Sequence, residues 1–242
     1  MSYKIAIITP INKRNYLADI ILDGLLILKK EGQKLNFLIS SNYHHYYPLS
    51  DYVAKRKEFI NFAIKADLIF LIYCKDKNTD FSLAENINQW HKTIYIEDAE
   101  WGKDRRYNFE IQRATLEGSF DGRGAVDNKM INQCAAYFRR EKPYLDGINP
   151  LPFAIQSYYA NHWRPNLLKD IDFFCVFGQE LYSPLRKHVK EILVKYCLKN
   201  NFNYWINRVP SDRFYQLLAR SKVGVSVSGG GYDTVRFWEI LA

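Results

Sequence analysis

Apolar residues arrive in short uninterrupted runs, each followed by an amphipathic stretch, and this alternation constrains the fold more than any other feature. Residues 4–9 (Lys-Ile-Ala-Ile-Ile-Thr) are apolar between their two end residues, and residues 68–73 (Leu-Ile-Phe-Leu-Ile-Tyr) carry almost no polar side chain. A strand with one wet face alternates polar and apolar residues. Strands this apolar are covered on both faces, which is the situation of a parallel sheet flanked by helices. Further strands are predicted at 35–40 and 93–96. Between them, Leu17, Ile20, Ile21, Leu25 and Leu28 recur at helical spacing, and Lys29, Lys30 and Gly32 supply the stop. Residues 52–65 predict a helix with Val53, Phe59, Phe62 and Ala63 inward, and residues 81–91 predict another.

The pattern weakens over about 100–142 and then resumes. Residues 121–124 (Asp-Gly-Arg-Gly) read as a turn, and 137–141 as one more strand. Residues 145–153 hold Gly147, Pro150 and Pro152 and read as a segment crossing between domains. From about 170 a second alternation begins. A strand at 172–177 closes at Gly178. Leu185, Val189, Ile192, Leu193 and Tyr196 then share one helix face. A strand at 204–209 follows, and Ser211 is placed as the N-cap of a helix with Asp212 in its first turn and Phe214, Leu217 and Leu218 inward. A strand at 222–228 comes next. The expected fold is therefore α/β, with two Rossmann-like parallel-sheet domains over 1–150 and 151–242. Val235, Phe237, Trp238, Ile240 and Leu241 open a buried helix with no Gly, Asn, Pro or basic stop after it. We accordingly expect the second domain to be incomplete and the chain to be the front part of a longer protein.

Composition supports a packed core, with 48% hydrophobic and 16% aromatic residues in 242. There is no run of about 18 apolar residues, so no transmembrane helix is expected. The N-terminus lacks a signal-peptide pattern, so a cytoplasmic location is expected. Cys74, Cys134, Cys175 and Cys197 form no Cys-x-x-Cys pair and are expected to be free thiols, with no zinc site or disulfide framework. The formal net charge is +8. Much of it falls in residues 183–222, where nine Lys or Arg face only Glu191 and Asp212. That excess attracts a phosphate-bearing ligand, or else belongs to solvated helix faces. Nucleic acid is not the expected partner, since no zinc finger, RNP-type motif or basic arm is present.

The chemistry-bearing stretch is residues 226–242, Ser-Val-Ser-Gly-Gly-Gly-Tyr-Asp-Thr-Val-Arg-Phe-Trp-Glu-Ile-Leu-Ala. A strand breaks at Gly229, Gly230 and Gly231, and Asp233 and Thr234 lead into a helix. Glycines let the backbone approach a phosphate or sugar, and a helix N-terminus presents free N–H groups to an anion. A flexible turn is the plain alternative.

Two tandem Rossmann-like halves with a late glycine turn look like a GT-B glycosyltransferase. Residues 214–242 resemble the donor-domain signature of the bacterial glycosyl transferases family 1-like proteins, including the spore-coat glycosyltransferase-like branch. Residues 137–141 (Tyr-Phe-Arg-Arg-Glu) and 150–155 (Pro-Leu-Pro-Phe-Ala-Ile) fit the same group. The resemblance is detailed over about 97–242 and holds only at the level of fold before that. It implies a nucleotide-sugar donor, a UDP- or GDP-sugar, bound as substrate with no separate cofactor, and a glycan or other acceptor. Glu239 matches the glutamate that holds ribose hydroxyls, and Gly229 to Thr234, including Tyr232, match the loop that meets diphosphate and sugar. Arg186, after Gly178, is the candidate for diphosphate charge, with Arg236 a second candidate or a helix-face ion pair. The family's acidic residue eight positions before the ribose glutamate is here Gly231. Asp233 is a substitute or a helix cap.

An inverting enzyme of this kind needs a base from the first domain. Asp98, at the end of a strand, is the candidate. His44 and His45 are rivals, or form an acceptor-stacking or packing cluster with Tyr43, Tyr46 and Tyr47. Asp76 and Asp80 do not form an Asp-x-Asp motif, so metal-independent transfer is expected. Two other readings stand beside glycosyl transfer. One is a non-catalytic protein that holds a phosphorylated glycan or nucleic acid through its basic segment. The other is a fragment without activity.

Overall fold

The computed structural model of the protein describes residues 2–11, 15–41, 50–73, 79–98, 126–140, 145–157, 167–178, 184–228 and 234–241. The chain divides into two compact units, Met1–Pro152 and Phe153–Ala242. The first holds strands β1 (Tyr3–Ile8), β2 (Leu35–Ile39), β3 (Leu68–Tyr73), β4 (Thr93–Glu97), β5 (Ala136–Arg139) and β6 (Ile148–Pro150). They form one sheet in the order β2-β1-β3-β4-β5-β6, every neighbouring pair parallel. The described helices of this unit are α1 (Tyr16–Lys30), α2 (Arg56–Ile64), α3 (Phe81–Ile87) and α4 (Asn128–Gln133).

The continuous apolar runs follow from cover on both sides. Along β1, Ile5 and Ile7 pack with Ala18, Leu22 and Leu25 of α1, while Ala6 and Ile8 join a second cluster with Phe59 and Ala63 of α2 and Leu83 and Ala84 of α3. The alternation of side chains along a strand sends neighbours to opposite faces, so a strand between two helical layers needs apolar residues at every position. α1 begins because the Asn15 side chain accepts from the Ala18 amide at 3.0 Å, which satisfies one of the unbonded first-turn donors. Asp19 in its first turn and Lys29 and Lys30 in its last complement the helix dipole.

The strand expected at 137–141 is present as β5. The segment expected to cross between domains, 145–153, contains the boundary between the units and also contributes β6, paired with β5 through Tyr137↔Ile148 and Arg139↔Pro150. Pro150 is compatible with this strand because β6 lies at the sheet edge. The turn before β6 depends on Gly147, whose φ is +81° and whose added Cβ would sit 2.9 Å from Ile131 Cγ2. Gly147→Ala is expected to destabilise the protein by about 1–2 kcal/mol in urea unfolding. An unchanged midpoint would mean that the turn relaxes without cost.

The second unit contains β7 (Ile171–Phe174), β8 (Tyr204–Trp205) and β9 (Ser221–Gly224), parallel and in the order β8-β7-β9. Its described helices are α5 (Pro184–Asn200), α6 (Ser211–Ala219) and α7 (Val235–Leu241). Phe174, Val176, Phe214, Tyr215 and Leu217 form its core. The fold class expected from the sequence, α/β with two wholly parallel sheets, is the one observed.

Three local expectations are corrected. The strand expected at 204–209 is only Tyr204–Trp205, because the chain then turns, with Trp205 Nε1 donating to the Asn207 carbonyl at 2.9 Å. Ser211 is the first helical residue and Pro210 occupies the cap, with no side-chain cap bond. The apolar face expected to pack on α5 is largely outside. Leu185, Ile192 and Tyr196 are exposed, and the buried positions are Arg186 and Cys197. Arg186 turns its own side of the helix inward by bonding to backbone carbonyls.

Candidate functional site

Both sheets reverse strand order beside their first strand. In the first unit β1 lies between β2 and β3, and in the second β7 lies between β8 and β9. In open parallel sheets the loops leaving the carboxyl ends on either side of such a reversal diverge, and ligands bind in the crevice left there. Among the described candidates, Asp98 follows β4, two strands from β1, and Gly178 follows β7.

At the carboxyl end of the first sheet, β4 and β5 finish side by side with Glu97 opposite Arg139. Arg139 is fully buried, and its Nη1 donates to Glu97 Oε2 at 3.2 Å. The Tyr137 hydroxyl donates to the same oxygen. Burial outweighs the attraction of Arg139 and pushes the Glu97 carboxyl up to about 8, with Asp127 and Asp98 adding in the same direction. Tyr95, stacked edge-on to Tyr137 at 4.9 Å, is held well above the usual phenol range, first by burial and then by Glu97.

Asp98 follows directly. It is 6% exposed, so the candidate base lies almost wholly inside the unit. The Asn15 Nδ2 group donates to its Oδ2 at 3.4 Å, and Arg140 Nε forms an ion pair with its Oδ1 at 3.4 Å. Asn15 thus ties the start of α1 to the end of β4. Beside them, Thr9, Ser40 and Ser41 gather at the ends of β1 and β2, with Thr9 Oγ1 and Ser41 Oγ 2.8 Å apart. This edge orients a carboxylate with an amide and a guanidinium, and carries hydroxyls at the exits of β1 and β2. It is a polar arrangement at the exits of four strands.

In the second unit, Gly178 leaves β7 and Ser228 leaves β9. Arg186, near the start of α5, joins them. Its Nη1 donates to the Gly178 carbonyl, Nη2 to Val227 at 3.2 Å and Nε to Ser228 at 3.2 Å. Its guanidinium lies 5.5 Å from the Phe177 ring centroid. The rigid fork of arginine suits this three-carbonyl clamp. The Val225 amide donates to Phe174 at 2.9 Å, and Ser226 Oγ lies 3.2 Å from Thr234 Oγ1 across the intervening loop.

Glu239 and Arg236 are paired on α7. The Tyr215 hydroxyl donates to Glu239 Oε1 at 2.5 Å and Arg236 Nη1 donates to Oε2, so each carboxylate oxygen has a protein donor. Arg236 also donates from Nε to the Val176 carbonyl at 3.2 Å and lies 3.8 Å over the Phe214 ring. Burial lowers its pKa, and Glu239 opposes that. Of the two roles open to Arg236 in the sequence, this geometry contains the ion pair.

Gly229, Gly230, Gly231, Tyr232 and Asp233 lie outside the described residues, as do His44, His45, Tyr43, Tyr46, Tyr47, Asp76 and Cys74. Asp80 caps α3 through the Leu83 amide and pairs with Arg56 at 3.2 Å. Cys175 and Cys197 are buried and Cys134 half-buried, all as free thiols. Among the described residues, no group of three or more His, Cys, Asp or Glu is placed to hold a metal ion, and no helix is long and apolar enough to cross a membrane. The basic segment is partly neutralised from outside itself. Arg220 pairs with Asp170, and Lys222 with Asp172 at 2.7 Å.

Sequence reasoning did not find Asn15, Tyr137, Arg139 or Arg140. The available signal was the matched doublets, Glu97-Asp98 and Arg139-Arg140, each ending an apolar strand.

No family model matches this sequence, and no curated protein matches it. Among solved structures, the chain is similar to the UDP-GlcNAc 2-epimerase from Methanocaldococcus jannaschii. The identity is 11%, the TM-score 0.37, and the match covers 100% of this chain and 76% of that one.

Proposed function

We propose that this protein processes a nucleotide sugar, as a metal-independent glycosyltransferase that moves the sugar to a glycan or other acceptor. The observation that carries the reading is the position of the donor-like motif. Its two described ends, 226–228 and 234–241, lie at the reversal of strand order between β7 and β9, joined to Gly178 by Arg186. This is where an open parallel sheet receives a ligand. The proposed donor site comprises Gly178, Arg186, Gly229, Gly230, Gly231, Tyr232, Asp233, Thr234, Arg236 and Glu239.

In this reading the loop amides and the arginines neutralise the departing nucleoside diphosphate, the charge that develops as the glycosidic bond breaks. Glu239 accepts the ribose hydroxyls by exchanging donors with Tyr215 and Arg236. Asp98 takes the acceptor's proton as general base, with Arg140 and Asn15 orienting it.

Isothermal titration with UDP- and GDP-sugars tests the donor assignment. At least one is expected to bind, with Glu239→Gln weakening it about tenfold, the equivalent of about 1.4 kcal/mol. A panel in which no nucleotide sugar binds would remove the proposal. Binding that Glu239→Gln leaves unchanged would remove Glu239 from the site.

A further inference from the structure

The exposed surface of α5 carries an apolar stripe among charged and polar residues. Leu185, Ile192 and Tyr196 follow at intervals of seven and four, so they share one side of the helix. Ile192 is 54% and Tyr196 51% exposed. Phe202, in the turn after the helix, stacks on Tyr196 with ring centroids 5.8 Å apart, and extends the ridge. Phe173 of β7 meets both rings edge-on, at 6.2 Å and 5.6 Å, and fixes them to the sheet. The ridge is therefore built on the fold.

Lysines border it. Lys195 precedes Tyr196 and Lys199 stands seven residues after Ile192, both exposed. The helix carries five Lys or Arg against one acidic residue, Glu191, which Lys187 already approaches at 3.9 Å.

We propose that this face of α5 seats the protein on an anionic membrane surface. A helix with an apolar, aromatic side and flanking lysines lies in the plane of the lipid interface. The apolar residues enter the acyl boundary and the ammonium groups meet acidic headgroups. Tyrosine and lysine both place an apolar body beneath a polar tip, which suits that boundary. A second copy of the chain fits the face less well, since packing two such ridges together brings the lysine rows into opposition. Nucleic acid would engage the lysines and leave Ile192 and Leu185 without a partner. The inference does not depend on the sugar-nucleotide reading.

Vesicle co-sedimentation of the whole chain tests it. Vesicles of equal parts phosphatidylglycerol and phosphatidylcholine are expected to retain the protein at low salt, with retention falling as salt rises. Phosphatidylcholine alone is expected to retain little. The double variant Ile192→Glu, Tyr196→Glu should lower the partition coefficient about tenfold or more, and so should Lys195→Glu, Lys199→Glu. All four positions are outward, and circular dichroism and melting of each variant check the fold. The proposal is overturned by absent binding to the anionic vesicles. It is equally overturned by binding that either folded double variant leaves intact, or by a wild-type dimer that Ile192→Glu, Tyr196→Glu dissolves without any vesicle effect.

Discussion

Arg186→Ala is expected to destabilise the second unit by about 3 kcal/mol. The wild-type guanidinium serves the carbonyls of Gly178, Val227 and Ser228 from an almost buried position. Hydrogen bonds with a charged partner contribute about 1.5–3 kcal/mol each, and a buried carbonyl left without a donor costs about 1–3 kcal/mol. Water entering the space left by the side chain recovers part of that total. Arg186→Lys keeps the charge, but a single ammonium does not span three carbonyls, so an intermediate loss of about 1–2 kcal/mol is expected. Urea unfolding followed by far-ultraviolet circular dichroism reads the total. Hydrogen exchange of the Val225 amide, bonded to Phe174 at 2.9 Å, reads the local effect where the two strand exits are held together. If Arg186→Ala unfolds within about 0.5 kcal/mol of wild type, the clamp contributes nothing to the fold.

The second large effect is a pH dependence centred on Glu97. Its carboxyl titrates near 8 in the folded protein, against 4.5 for the ordinary group. Between those values the folded state holds a proton that the unfolded state has released. Stability therefore falls as pH rises from about 4.5 to about 8 and levels off beyond, the reverse of a salt-bridged carboxylate. Each pKa unit is worth about 1.4 kcal/mol, so the change is on the order of 5 kcal/mol. Glu97→Gln resembles the neutral acid in shape and still accepts from Tyr137 and Arg139. It is expected to remove this slope and to leave the variant more stable than wild type above pH 8. The measurement is the difference in unfolding free energy between the two proteins across pH 5–9, in which the other titrating groups cancel. A constant difference would show that Glu97 is ionised throughout, with Arg139 dominating over burial.

The two effects lie at equivalent places. Each concerns charged side chains at the carboxyl edge of a parallel sheet, on β4 and β5 in the first unit and beside the reversal of strand order at β7 in the second. The fold concentrates strand exits there, and buried charge is tolerated because backbone carbonyls or an opposite charge meet it. In the first unit the partners are side chains, the Glu97 carboxyl accepting from Arg139 and Asp98 forming an ion pair with Arg140. In the second the Arg186 guanidinium is met by main-chain oxygens.

The sequence by itself determined the layered architecture. Runs such as 68–73 are apolar at every position, and a strand needs that only when helices cover both its faces. Parallel pairing and the strand–helix alternation follow from the same requirement. β6 escaped notice because three residues that follow Gly147 and end in Pro150 carry no periodicity, and only an edge position accommodates the proline. Tertiary structure alone decided which charges meet. Glu97 and Arg139 are 42 residues apart in sequence and become neighbours through the β4–β5 register. Glu239 bonds to Tyr215 across 24 residues. The orientation of α5 was settled in the same way. Its apolar periodicity pointed Leu185, Ile192 and Tyr196 inward, but three carbonyls at the strand exits bind Arg186 and turn the opposite face to the sheet. Hydrophobic spacing reports which side of a helix gains from burial, whereas a fixed cluster of unbonded carbonyls, formed only when distant strands pair, can override it.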